Sequence, residues 1–152
     1  MDPPGRGPVS SGHLDDLPAW ARALLELEPA GHLGLIDGEG HPRVLPVTFA
    51  LAGGVLASAV DRKPKRAPGA ELARVRWLRR RPAAALTVDH YDDDWSRLAW
   101  LQALGRIEVA AVADHPQALD ALQAKYAPYR DRVPPGPLLL LRPKRLLWWR
   151  AR

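Results

Sequence analysis

Val55-Leu56-Ala57-Ser58-Ala59-Val60-Asp61-Arg62-Lys63-Pro64-Lys65-Arg66 is an apolar run that breaks off into a basic loop. The first six residues have the length and composition of a buried strand. In the last six, lysine and arginine crowd around a proline that fixes φ and removes a donor, as expected of a loop held open for an anion. A solvated basic loop is the plain alternative. Between Asp61 and Arg81 the only acids are Asp61 and Glu71, so this one segment carries more positive excess than the whole chain, whose formal net charge is +5.

On the C-terminal side, Leu72, Val75 and Leu78 predict a short helix from about Ala70 to Arg80, halted by Pro82. Ala83 to Val88 reads as a strand, followed by the polar segment Asp89-His90-Tyr91-Asp92-Asp93-Asp94-Trp95-Ser96-Arg97. From Leu98 to Ala110 the residues alternate. Ala99, Leu101, Ala103, Ile107 and Val109 share one face, and Gln102, Arg106 and Glu108 the other. Leu98, Trp100 and Leu104 add apolar bulk to the outward face, which suggests contact with another subunit. Asp114 and Pro116 open a helix with Leu119, Leu122 and Tyr126 inward, ending before Pro128. Pro134-Pro135-Gly136-Pro137 is a stiff linker, and two strands, Leu138 to Leu141 and Arg145 to Trp149, finish the chain.

On the N-terminal side, Ala52-Gly53-Gly54 is a turn into the opening strand. Before it, His32 to Asp37, a turn at Gly38-Glu39-Gly40 and a run from Pro42 to Leu51 form a β-hairpin. Pro46 cannot donate to a ladder, so its strand is expected at an edge or bulged. Asp16 is the expected cap of a helix with Leu17, Trp20, Leu24 and Leu27 inward, stopped by Pro29. Residues 1–12, rich in Pro and Gly, are expected to be a disordered tail and not a signal peptide, with residues 13–152 forming one domain. A helix, three strands in meander, a helix, two strands, a helix and two strands fit an antiparallel barrel with helices at its ends.

The chain has 152 residues, 47% hydrophobic and 26% charged, with 16 prolines and 12 glycines. One domain with many turns is the expectation. No apolar run approaches the roughly 20 residues of a membrane span. The absence of cysteine excludes disulfides, thiolate nucleophiles and Cys-ligated zinc, and is compatible with the cytoplasm. The basic balance favours anionic partners.

Several chemistries fail on spacing. Gly38-Glu39-Gly40-His41-Pro42-Arg43 breaks the dinucleotide glycine pattern at its last position. Ser58 has Leu56 and Val60 where a nucleophile elbow needs glycines. Asp92, Asp94 and Ser96 imitate the start of a calcium loop, but Arg97 replaces its glycine and Ala103 its glutamate. Nucleic-acid binding would favour interleaved aromatics for stacking, and the basic segment offers only Trp77, on a helix too short to fill a groove.

The basic segment 61–66, the segment Val88 to Leu98 and the run Gly40 to Leu51 together resemble the pyridoxamine 5′-phosphate oxidase-like superfamily, in its branch of probable coenzyme F420-dependent enzymes. The resemblance covers roughly His32 to Trp149. It implies a mainly β, six-stranded antiparallel split β-barrel of the FMN-binding type, with short flanking helices. It further implies a cytoplasmic homodimeric oxidoreductase that passes hydride between coenzyme F420, or alternatively FMN, and a small organic substrate. Lys63, Lys65 and Arg66 would hold the cofactor phosphate. Val47, Ser58, Ala59 and Val60 would line its ring or ribityl side, and Trp95 and Trp148 would wall the groove, Trp148 from the partner subunit. Catalytic residues are not identified, although Tyr91 and His90 are candidate proton donors, and no metal is implied. A non-catalytic cofactor carrier and a nucleic-acid binder remain as alternatives.

Overall fold

A computed structural model describes residues 12–60 and 72–151. Residues 1–11, including nearly all of the expected tail, and residues 61–71, including Lys63, Lys65 and Arg66, lie outside the described residues. The helices are α1 (Ala19–Leu27), α2 (Ala73–Arg80), α3 (Pro116–Lys125) and α4 (Ala127–Asp131). The strands are β1 (Gly31–Ile36), β2 (Pro42–Val47), β3 (Ala50–Ala52), β4 (Val55–Ala59), β5 (Ala83–His90), β6 (Ala99–Ala110) and β7 (Leu138–Arg150).

The seven strands form one sheet in the order β2-β1-β5-β6-β7-β4-β3, antiparallel at every pairing. Its two edges, β2 and β3, are consecutive in the chain and separated only by Thr48 and Phe49. Three Cα steps span at most roughly 11 Å. The sheet must therefore curl until its edges nearly meet, which makes an open sheet barrel-like.

Both hairpins form where the turn chemistry places them. Gly40 has φ +87° and Gly53 φ +61°, a region that glycine enters without steric cost. The first turn is also tied by Asp37, whose carboxylate accepts from the amides of Glu39 and His41, each at 2.9 Å. The bond from the His41 amide is the chief reason that this carboxyl titrates below its ordinary value. Pro46 sits on β2, an edge strand, where its missing donor costs no ladder bond.

Two expectations about strands need correction. The three-strand meander does not exist, because the run Pro42 to Leu51 splits at Thr48-Phe49 and sends β2 and β3 to opposite edges. The backbone of Phe49 is taken up by Tyr126, whose hydroxyl accepts from the Phe49 amide at 3.0 Å and lies 2.9 Å from its carbonyl. A side chain from the C-terminal side of α3 thus replaces a ladder. Conversely, the two last runs fuse into β7. Pro143 is tolerated in mid-strand because it faces Gly105 at a register shift between Leu104 and Gly105. Among the described residues the count is therefore seven strands, not six.

The helices differ in detail. Pro18, not Asp16, stands at the N-cap of α1, and Asp16 ends a short 3-10 turn over Leu14–Asp16. Ala21, Leu24 and Leu25 are buried, whereas Leu27 is 77% exposed because the helix ends there and the chain turns away. After α3, Pro128 falls in the first turn of α4, where a missing N–H is harmless, so helical structure resumes.

Two cores follow from the alternation of the strands. The larger joins Leu24, Leu25, Val75 and Leu78 of α1 and α2 to Leu33, Leu86, Leu101 and Leu146 of the sheet. The smaller packs Ala118 and Leu122 of α3 and Tyr129 of α4 on Ala50, Ala57, Leu138 and Leu140. Each fully buried leucine contributes on the order of 1.5–3 kcal/mol.

Lys125 stitches these layers together. Its ammonium donates to the Leu25 carbonyl at 2.9 Å and lies 3.6 Å from the centroid of the Phe49 ring. Burial pushes its pKa down to about 8 from 10.5, against the pull of the Glu28 carboxylate. Between those two values the unfolded chain binds more protons at this group, so Lys125 makes stability rise with pH from about 8 toward 10.5. Burial raises the neighbouring Tyr126 hydroxyl above 10.0, which makes stability fall again at higher pH. The Lys125→Met variant is expected to lose the rising limb in thermal melts taken across this range; an unchanged profile would contradict the assignment.

Candidate functional site

The C-terminal end of β2 and the C-terminal end of β4 meet at one small cleft of about 50 Å³. Pro46, Val47 and Thr48 form one wall, Ser58, Ala59 and Val60 the other, with Leu139 of β7 and Arg74 of α2 closing it. Backbone bonding fixes the second wall. β4 pairs with β7 through Ser58 opposite Leu139, and Val60 continues the ladder by bonding to Pro137 (3.0 Å) and accepting from Gly136 (3.2 Å). Val47, Ser58 and Val60 are buried, at 9%, 9% and 2% exposure, so the pocket is a rigid notch.

Val47, Ser58, Ala59 and Val60 are thus brought together, from two strands that are far apart in the sheet order. Val60, the last described residue before 61–71, and Arg74, just after the described chain resumes, both line this cleft. Arg74 itself is half-buried, and among the described residues no ion pair is shown for it. A positive side chain, two hydroxyls and apolar walls can hold a phosphorylated, largely apolar ligand.

Trp95 and Trp148 do not join this cleft. Trp95 lies in a 3-10 turn, Trp95–Arg97, at 65% exposure. Trp148 is buried in the protomer's own larger core at 6% exposure and stands opposite Leu101. The outward-facing neighbour is Trp149, which pairs with Trp100 across the β6–β7 ladder.

The acidic motif has a structural use. Asp94 accepts from the amide and hydroxyl of Ser96, at 3.1 and 2.7 Å, and those bonds hold its carboxyl below the ordinary value. Asp92 accepts from the Asp94 amide at 2.9 Å and pairs with Arg97 at 3.3 Å. His90 is pinned between Glu28, 3.1 Å from Nδ1, and Asp92, 3.6 Å from Nε2. It borders a separate groove of about 430 Å³ with Trp20, Leu24 and Arg150. Tyr91 is 72% exposed and lines neither cavity.

Thr48, Arg74 and Leu139 complete the cleft without having been singled out in the sequence. Thr48 was within reach of such reasoning, because it follows Val47 directly. Arg74 was only one of four arginines spread over the faces of a short helix.

No family model and no curated protein matches the sequence. Solved structures do match in fold. A heme binding protein from Mycobacterium smegmatis superposes with a TM-score of 0.68 at 20% identity, over 89% of this chain and 55% of that one. The chain therefore spans only about half of that protein's length. A protein from Clostridium acetobutylicum related to general stress protein 26, of the pyridoxinephosphate oxidase family, gives 0.60 at 16% identity, over 86% of both chains. An F420 reductase gives 0.57 at 22% identity, over 86% of this chain and 98% of that one. What these structures share with the chain is the fold, a mainly β, antiparallel, barrel-like sheet with flanking helices. Among the described residues no helix is long and apolar enough to cross a membrane.

Proposed function

We propose that the chain is a cytoplasmic, homodimeric oxidoreductase that binds coenzyme F420, with FMN as the alternative, in the cleft between β2 and β4. The observation that carries this reading is the convergence of Val47, Ser58, Ala59 and Val60 with Arg74 at both ends of the basic segment. Lys63, Lys65 and Arg66 take the phosphate together with Arg74, while the apolar strand ends meet the ring or its ribityl chain. The fold likeness to an F420 reductase and to a pyridoxinephosphate oxidase family protein supports this choice.

Size argues for the dimer. Sites for ligands of cofactor size run to about 300–1,000 Å³, far above the 50 Å³ of this notch. One protomer can hold the phosphate end and one edge of such a ligand; a second copy must cover the rest. The outward face of β6 and β7, with Trp100 opposite Trp149 and Leu147 two residues away, offers apolar surface for it. The cofactor, when bound, supplies the hydride chemistry. The residues of this chain bind it, orient it and exclude water.

The test is a fluorescence titration with F420 and with FMN, repeated on Lys65→Ala and with a duplex oligonucleotide. One cofactor is expected to bind with a Kd well below about millimolar, and Lys65→Ala to weaken it by about tenfold, the loss of one charge-assisted contact. Binding of neither cofactor would end the reading. Duplex binding that falls steeply with salt and vanishes in Lys65→Ala would replace it with nucleic-acid recognition. Sedimentation as a monomer at micromolar concentration would contradict the shared site.

A further inference from the structure

One residue of the cleft has a hydroxyl whose partner lies in the smaller core. Thr48 lines the cleft, and its Oγ1 is 2.6 Å from the hydroxyl of Tyr129 on α4. Tyr129 is 8% exposed and packs in the core under α3 and α4. Among the described residues, each of these hydroxyls finds its partner in the other.

Each hydroxyl has one proton, so only one of them donates in this bond. A phenol is far more acidic than an alkyl alcohol and is the better donor. Tyr129 donating to Thr48 leaves the Thr48 proton free, and accepting that bond polarises it further. Thr48 is half-buried and lines the cleft with Val47, Ala59, Val60 and Leu139, so that proton is the one left for a ligand there.

The surroundings hold this pair in place. The Tyr129 ring meets that of Tyr126 edge-on, with centroids 5.6 Å apart and planes at 66°. The Tyr126 hydroxyl accepts from the Phe49 amide, 3.0 Å away, and lies 2.9 Å from the carbonyls of both Phe49 and Pro29. Thr48 is thus fixed through its own hydroxyl and through the backbone of the next residue. Such a shell is what a precise polar contact requires.

We propose that Thr48 donates the hydrogen bond that selects the ligand, to a carbonyl or ring-nitrogen acceptor on the edge of a conjugated heterocycle, and that Tyr129 is its positioning residue. This rests on the cofactor reading of the cleft. It adds a specificity element that basic residues cannot supply, since they recognise phosphate and not the ring.

The experiment compares wild type, Thr48→Val, Thr48→Ser and Tyr129→Phe in titrations with FMN and F420, recording both Kd and the visible absorption band of the bound ligand. Thr48→Val and Tyr129→Phe are each expected to weaken binding by about tenfold and to shift the band. Thr48→Ser is expected to keep both, and the double Val/Phe variant to be little worse than either single one, because the two groups act as one unit. Thr48→Val is nearly isosteric, so it keeps the test open if Tyr129→Phe unfolds. Unchanged Kd and band in both variants would overturn the inference while leaving the cleft as the cofactor site. Weaker binding by Tyr129→Phe with an unshifted band would also overturn it, by reducing Tyr129 to a packing role. Failure of the wild type to bind either ligand would remove the cofactor reading and this inference with it.

Discussion

Phe49→Ala is expected to lower stability by about 3–5 kcal/mol, the cost of removing a fully buried aromatic ring and leaving its cavity. Phe49 is 1% exposed and is the sole phenylalanine of the chain. Its ring lies in the larger core and carries the Lys125 ammonium on its face at 3.6 Å, so the substitution also removes a cation–π contact. Small domains hold only about 5–15 kcal/mol in total, and the melting temperature should fall by on the order of 10 °C. Phe49→Leu, which keeps most of the volume, should cost less than half as much. The position is more than a packing site, because its backbone is the hinge between β2 and β3 and its predecessor is Thr48. A fall in Tm of less than about 3 °C would mean that the corner is not held as described.

Gly105→Ala is the second large effect. Gly105 lies where β6 shifts register against β7, and a Cβ placed on it would run into the backbone carbonyl oxygen of Arg142, with the Pro143 Cα only 3.0 Å away. These are backbone atoms of a paired strand and cannot rotate aside. The two longest strands would have to separate, at a cost of about 3 kcal/mol or more. Gly54→Ala is the matched control, since a Cβ there meets nothing within 4 Å; its effect should stay within about 0.5 kcal/mol. Urea melts of the two variants decide the matter. Equal midpoints would show that β6 and β7 do not approach so closely at the shift.

Much of this fold was legible because its signals are local. Gly38-Glu39-Gly40 and Gly53-Gly54 mark tight turns by residue type alone, and the alternation through Leu101, Ala103 and Ile107 announces a strand with one buried face. What was not legible depends on partners distant in sequence. Nothing within Pro42 to Leu51 shows that the run breaks at Thr48-Phe49; the break is stabilised by the hydroxyls of Tyr126 and Tyr129, some eighty residues on. Leu138 to Leu141 and Arg145 to Trp149 read as two strands, and Gly105 opposite Pro143 makes room for one strand to run through.

The site divides in the same way. Ser58, Ala59 and Val60 lie at a strand end beside the basic segment, whereas Val47 came only from the family resemblance, because the break after it was not legible; all four line one cleft. Trp148, expected from the resemblance to wall the groove, lies in the larger core. Its neighbour Trp149 takes the outward face instead. In the acidic motif, whose calcium-loop likeness already failed on spacing, Asp92 and Asp94 spend their oxygens on turn amides, the Ser96 hydroxyl and Arg97.

The claim that the β2–β4 cleft, and not the larger groove beside His90, receives the ligand is tested most directly by amide chemical-shift mapping on the labelled protein during an F420 titration. The account predicts that saturable shifts centre on Val47, Thr48, Ser58, Ala59, Val60 and Arg74. Shifts confined to His90, Arg97 and Arg150 would contradict it.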